Sequence, residues 1–184
     1  MQATRSRRRL VWEGALTMSA LAFEHLNLDW NAEPNAPQPV VMVSGADVRV
    51  AFYLNPWAYL ADEGERGRLI FKDCTRWRLG ETNDEGWYRG QCRYSKIAPG
   101  WGEFYELTGS DDQQPWPTDW QELAASASRQ RHFLFYFRDE TFECFAATWS
   151  FESTAESAPP RVGALGRILE RICSIGRIRW RKSV

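Results

Sequence analysis

Two groups of residues in this chain have the side chains and spacing to do chemistry. The densest runs from Lys72 to Arg93 and holds Asp73, Arg76, Arg78, Glu81, Asp84, Glu85, Arg89 and Arg93. Arg76 and Arg78 share a parity on one expected strand, and Arg89 and Arg93 share one on the next. If those parities meet, four guanidiniums face one side, suited to bidentate contact with a carboxylate or phosphate. The plainer expectation is a solvated sheet face with cross-strand ion pairs to Glu103 and other acids. The second group is Trp101, Glu103 and Tyr105, which alternate onto one face of a later strand. A carboxylate among aromatics suits sugar binding or hydrolysis, but acid–base work needs a second carboxylate in a different environment. Glu106 lies on the opposite face of the same strand and cannot be that partner.

Other reactive types are sparse. His25 and His132 are the two histidines, and no serine or cysteine sits in a nucleophile elbow. Cys74, Cys92, Cys144 and Cys173 form no CxxC pair. Zinc held by Cys74, Cys92, Cys144 and His132 would need a spacing unlike that of structural zinc sites. The GETNDEG segment has glycines but neither the lysine nor the helix start of a phosphate loop. The sequence therefore calls for no cofactor, no metal and no catalytic residue. Its candidates for binding a ligand or partner are Arg76, Arg78, Arg89, Arg93, Trp101, Glu103 and Tyr105.

The elements that must position these residues read as strands. Two β-rich runs flank Ser44–Asp47 as a tight hairpin would. Val48, Val50, Phe52 and Leu54 share one face, and Asp47, Arg49, Ala51 and Tyr53 share the other. The run 67–80 alternates as one strand, with Leu69, Phe71, Trp77 and Leu79 on one parity. A turn at 81–86 leads to a further strand, WYRGQCRYS, and then to WGEFYELTG. Thr118 is a good N-cap, and acids at 119 and 122 favour the start of a helix spanning 118–130. A long hairpin follows, turning at Arg138–Glu140. Its first arm is apolar on both parities, the pattern of a central strand covered on both faces.

The expected fold class is mainly β: a single antiparallel meander of about seven strands, as a curved sheet, barrel or sandwich, with one internal helix. A C-terminal amphipathic helix completes it. Boundaries fall at 1–17 (a disordered basic extension, which makes Met18 a plausible start), 18–37 (extended lead-in), 38–152 (the β domain), 153–160 (linker) and 161–184 (the basic helix). In that helix Leu165, Ile168, Leu169 and Ile172 form an apolar stripe.

Composition bounds the function classes. The chain has 184 residues, 43% hydrophobic and 26% charged, with ten Trp, ten Phe and six Tyr. These values fit a folded domain and exclude global disorder. No apolar run is long enough for a membrane-spanning helix. The net charge is only -1, yet residues 1–9 carry four arginines and no acid, and residues 161–184 carry seven cations and one acid. Residues 10–160 therefore hold a net -11. An acidic body repels phosphate, which disfavours nucleic acid, and suits capture of a basic protein, as inhibitor or immunity-type proteins achieve by charge. The expectation is a cytoplasmic binding module whose partner is a protein or a second copy. A small-ligand-binding β-barrel and a hydrolase using Glu103 with Arg89 or Arg93 are the alternatives, and the C-terminal helix offers peripheral membrane contact.

Overall fold

The computed structural model describes residues 20–154, apart from Lys96 and residues 110–116 and 126–128. The expectations for residues 1–17 and 161–184, and for most of the 153–160 linker, lie outside the described residues. The strands are β1 (Ala22–His25), β2 (Val40–Ser44), β3 (Asp47–Tyr53), β4 (Arg66–Lys72) and β5 (Arg76–Glu81). After the one-turn helix α1 (Asp84–Tyr88) come β6 (Phe104–Thr108), β7 (Gln121–Glu122), β8 (Arg131–Tyr136), β9 (Glu140–Ala146) and β10 (Thr148–Thr154). They form a six-stranded sheet, β1-β6-β8-β9-β5-β7, and a four-stranded sheet, β10-β4-β3-β2. The fold is mainly β and antiparallel, as expected, and the sheets do not close into a barrel.

The hairpin read at Ser44–Asp47 is present, with Ser44 paired to Asp47. Gly45 sits at φ +62°, which a first turn residue without a side chain adopts freely. Along β3 burial alternates residue by residue, with Val48, Val50 and Phe52 fully inside. They pack with Leu69 and Phe71 of β4 against Phe104, Phe133, Phe135, Phe142 and Cys144 of the larger sheet. The core between the sheets is thus rich in aromatic rings, most of them packed tilted or edge to face, as in Phe52–Phe135 and Phe71–Phe133.

The run 67–80 is not one strand. It breaks at Asp73, where φ is +53°, and Cys74 and Thr75 carry the chain from the smaller sheet into the larger. Ala147 makes the return crossing beside it. Thr75 N–H donates to Phe145 at 2.9 Å, and Ala147 N–H donates to Lys72 at 3.0 Å. Unbroken alternation hides such a crossing, because side-chain parity survives the change of sheet.

Three further expectations are corrected. Residues 87–95 are not a strand: the end of α1 and a succession of turns occupy them, and α1 is started by Asn83, whose side chain caps Gly86 N–H. The expected 118–130 helix is absent among its described residues, which include β7, paired to β5 through Arg76–Glu122 and Trp77–Gln121. The N-cap signal at Thr118 had no apolar helical face behind it, so pairing with a sheet edge prevailed. The lead-in also holds a strand, since β1 pairs with β6 in register from Ala22–Thr108 to His25–Tyr105.

β8 is interior and buried on both faces, as its double parity implied. Its outer face is covered by residues 83–102, not by a helix at 118–130. Tyr94, Tyr105, Leu107, Leu134 and Tyr136 form a second cluster there, with Trp87 and Trp101 packed against it.

Candidate functional site

On that outer face the strands bring one buried carboxylate among cations. Register sets Glu143 of β9 beside Arg78 of β5 and Leu134 of β8. Glu143 is fully buried. Its Oε1 accepts from Arg78 Nη1 at 2.8 Å, and its Oε2 accepts from Arg93 Nη1 at 2.9 Å. His132 Nε2 is 3.1 Å from the same Oε2. Burial disfavours the Glu143 anion, but the His132 hydrogen bond and the Arg93 and Arg78 charges outweigh it and hold the carboxyl below its ordinary value. Burial pushes His132 the other way from a usual partnered histidine, down, with Arg93 and Arg76 adding to the effect against Glu143. The ring is therefore neutral at pH 7, donates through Nε2, and stacks on Phe145 at 4.3 Å.

Arg78 reaches outward as well. Its Nε donates to Asp119 Oδ1 at 2.8 Å and its Nη2 to Asp119 Oδ2 at 3.1 Å, a two-pronged grip on a half-exposed acid. Gly80 makes this seat available, because a Cβ there would overlap Arg78 Nη2 and lie 2.9 Å from Cζ. Arg78, Arg93 and Asp119 line an open cavity of about 880 Å³ between β5, the 90–93 turn and residues 117–119.

A second polar cluster surrounds Glu103, at the start of β6. Its Oε2 accepts from His25 Nε2 at 3.0 Å, Asn27 Nδ2 at 2.9 Å and Asn31 Nδ2 at 3.1 Å. No bond to Oε1 is present among the described residues, and the side chain is 27% exposed. Asn27 also accepts from Phe104 N–H at 2.8 Å, so one amide fixes both the loop and the strand. Burial and then the Glu103 charge raise the Tyr105 phenol to about 12 and also raise Tyr59. The loops that deliver these groups carry exposed apolar side chains: Leu28 at 75%, Trp57 at 76% and Leu60 at 82%. The two loops are tied by Asn55 N–H donating to Asn31 at 2.9 Å.

The sequence candidates are thus divided. Arg78 and Arg93 converge on Glu143. Arg76 lies over Phe145, 4.3 Å from the ring centre, and over Trp120. Arg89 stays on the surface beside Glu85 at 3.3 Å, so the four arginines do not share one face. Trp101 stacks on Tyr136 at 4.8 Å, and the Tyr105 hydroxyl donates to Gly100 at 3.3 Å. Glu103 meets His25 and two asparagines, whereas Arg89 and Arg93 have their own acids, so the hydrolase grouping is not assembled. Cys74 and Cys144 are buried in the core, and Cys92 lies in the 92–95 turn.

Sequence reasoning missed Glu143, Asp119 and the asparagines around Glu103. A signal existed for the first: Glu143 stands alone in the apolar run TFECFA, and an acid buried on an interior strand needs cations. The fold and its covered outer face define a two-sheet antiparallel sandwich bearing one buried ion network and one half-buried carboxylate cluster. Comparison with family models, curated proteins and solved structures gave no match. Among the described residues no helix is long and apolar enough to cross a membrane.

Proposed function

We propose that this protein is a binding module which captures a basic protein partner, with Glu103 as the anchor for one of the partner's cationic side chains. The observation that carries this is the division of labour at Glu103. His25, Asn27 and Asn31 fix one carboxylate oxygen, the other accepts no bond among the described residues, and the two loops tied through Asn31 and Asn55 carry the exposed Leu28, Trp57 and Leu60. An anchoring charge on loops that also present exposed aromatic and aliphatic side chains has the composition of an interface hot spot. The net -11 of residues 10–160 supports the choice of a basic partner, since complementary charge steers encounter.

The acids near the β8–β9 turn favour the same reading. Glu81 and Glu140 stand directly opposite on β5 and β9, an arrangement that costs stability in the isolated domain. Burial, and then the neighbouring Asp139, raise the Glu140 carboxyl as well. A cationic partner relieves that cost.

The test is a titration of the full chain with a blocked tripeptide of phenylalanine, arginine and leucine, followed on the side-chain amide resonances of Asn27 and Asn31. The expected result is a saturable shift of both, lost in Glu103→Gln. Shifts that survive that substitution, or that appear only elsewhere, overturn the assignment.

A further inference from the structure

The Arg78 groove has a feature that the Glu103 proposal does not use. Arg78 spends one nitrogen on the buried Glu143 and points the remaining fork, Nε and Nη2, toward the open cavity. What fills that fork is Asp119, a half-exposed side chain that approaches across the groove from the segment around β7. A pair of hydrogen bonds from one guanidinium edge to the two oxygens of one carboxylate is the way arginine recognises carboxylates in general.

We propose that the groove is a binding site for a small carboxylic acid, and that Asp119 holds the place of the ligand's carboxylate. Three observations converge. Arg78 and Arg93 are held nearly buried and oriented by Glu143, so the guanidinium is positioned before any ligand arrives. Gly80 is the one residue type that leaves room for that guanidinium, an accommodation that a surface ion pair would not require. The cavity, at about 880 Å³, has the size of small-molecule sites, and Thr82, Gln91 and Thr118 add polar groups along its walls.

The fork fits the exchange. With Asp119 in place, Arg78 Nε and Nη2 are both filled. When Asp119 swings out, those two donors are left facing the cavity, and an incoming carboxylate refills them, entering on the Arg78 side away from Glu81, which also lines the groove. Asp119 then acts as a tethered competitor, which weakens but does not prevent binding.

The experiment titrates the full chain with succinate in a carboxylate-free buffer, reading the Arg78 Nε–H resonance and the heat of binding. In the wild type, succinate shifts that resonance. In Asp119→Ala the affinity rises by about tenfold or more, because the competitor is gone. Adding Arg78→Lys to Asp119→Ala removes the gain, since lysine cannot offer a fork. Inorganic phosphate run in parallel binds Asp119→Ala more weakly than succinate does.

The proposal is overturned if Asp119→Ala binds succinate no tighter than the wild type, or if the gain persists with Lys at position 78. Phosphate binding equal to succinate overturns the carboxylate assignment. Should Asp119→Ala fail to fold, the wild-type titration decides: an Arg78 Nε–H resonance unmoved by succinate contradicts the site. Glu103 is not involved, so Glu103→Gln leaves every one of these results unchanged.

Discussion

Glu143 is a carboxylate removed from water and held by three donors, so its loss takes the buried acceptor from Arg78 Nη1, Arg93 Nη1 and His132 Nε2 together. Glu143→Gln is expected to cost about 3–5 kcal/mol, the usual penalty for breaking a buried ion pair from one side, measured by urea denaturation. A cost below about 1 kcal/mol would mean that Arg78 and Arg93 already reach solvent or Asp119 freely. The same residues set an acid limit. Glu143 has a lower pKa folded than unfolded, so its stabilisation is present above the unfolded carboxylate range and is lost as pH falls through the folded value. His132 is also lowered, by burial, so the unfolded chain takes up its proton first. Stability should therefore begin to fall below about pH 6.5, the ordinary histidine value, before the carboxylates titrate. Urea midpoints between neutral and mildly acidic pH check this, and His132→Gln should flatten the first part of the decline. These residues were legible only in part. An isolated Glu in TFECFA announces a buried charge, but its cations come from distant positions 78 and 93, and nothing local in sequence names them.

In β4 and β5 the pattern of residues was read correctly and the path of the chain was not. Parity along 67–80 gives the core-facing residues of both strands, Leu69 and Phe71 buried and Trp77 and Leu79 partly so, yet the crossing at Asp73–Thr75 leaves parity intact and so leaves no trace. The hairpins at Ser44–Asp47 and Arg138–Glu140 were legible because turn chemistry and strand alternation agree there. The 87–95 segment alternates by chance, and Asn83 capping a one-turn helix overrides it. Two glycines test the packing of these elements. A Cβ at Gly67 in β4 would lie 2.7 Å from Leu54 and 2.9 Å from Phe151, inside the sandwich core. Gly67→Ala is expected to destabilise by about 1–3 kcal/mol, the range for overpacking. Gly80→Ala meets only the end of Arg78, so its effect should centre on the ion network: a displaced Arg78 Nε–H resonance, with the β5–β9 pairing retained. Loss of the whole fold in Gly80→Ala would contradict that division.

Across the whole molecule, charge is arranged in a way that residue totals conceal. A net -1 covers an acidic span at 10–160 and basic ends, and this segregation was readable from position alone. Where the acids act was not readable, because Glu103 depends on Asn27 and Asn31 from the lead-in and on loop contacts that only the fold creates. The most direct measurement compares the full chain's affinity for two blocked tripeptides, one with arginine between phenylalanine and leucine and one with citrulline in its place. The two match in shape and differ in charge. If Glu103 anchors a cationic side chain, the arginine peptide binds about tenfold tighter or more, and Glu103→Gln brings the two to equal affinity. Equal affinities in the wild type, or a difference that Glu103→Gln leaves intact, would contradict the assignment.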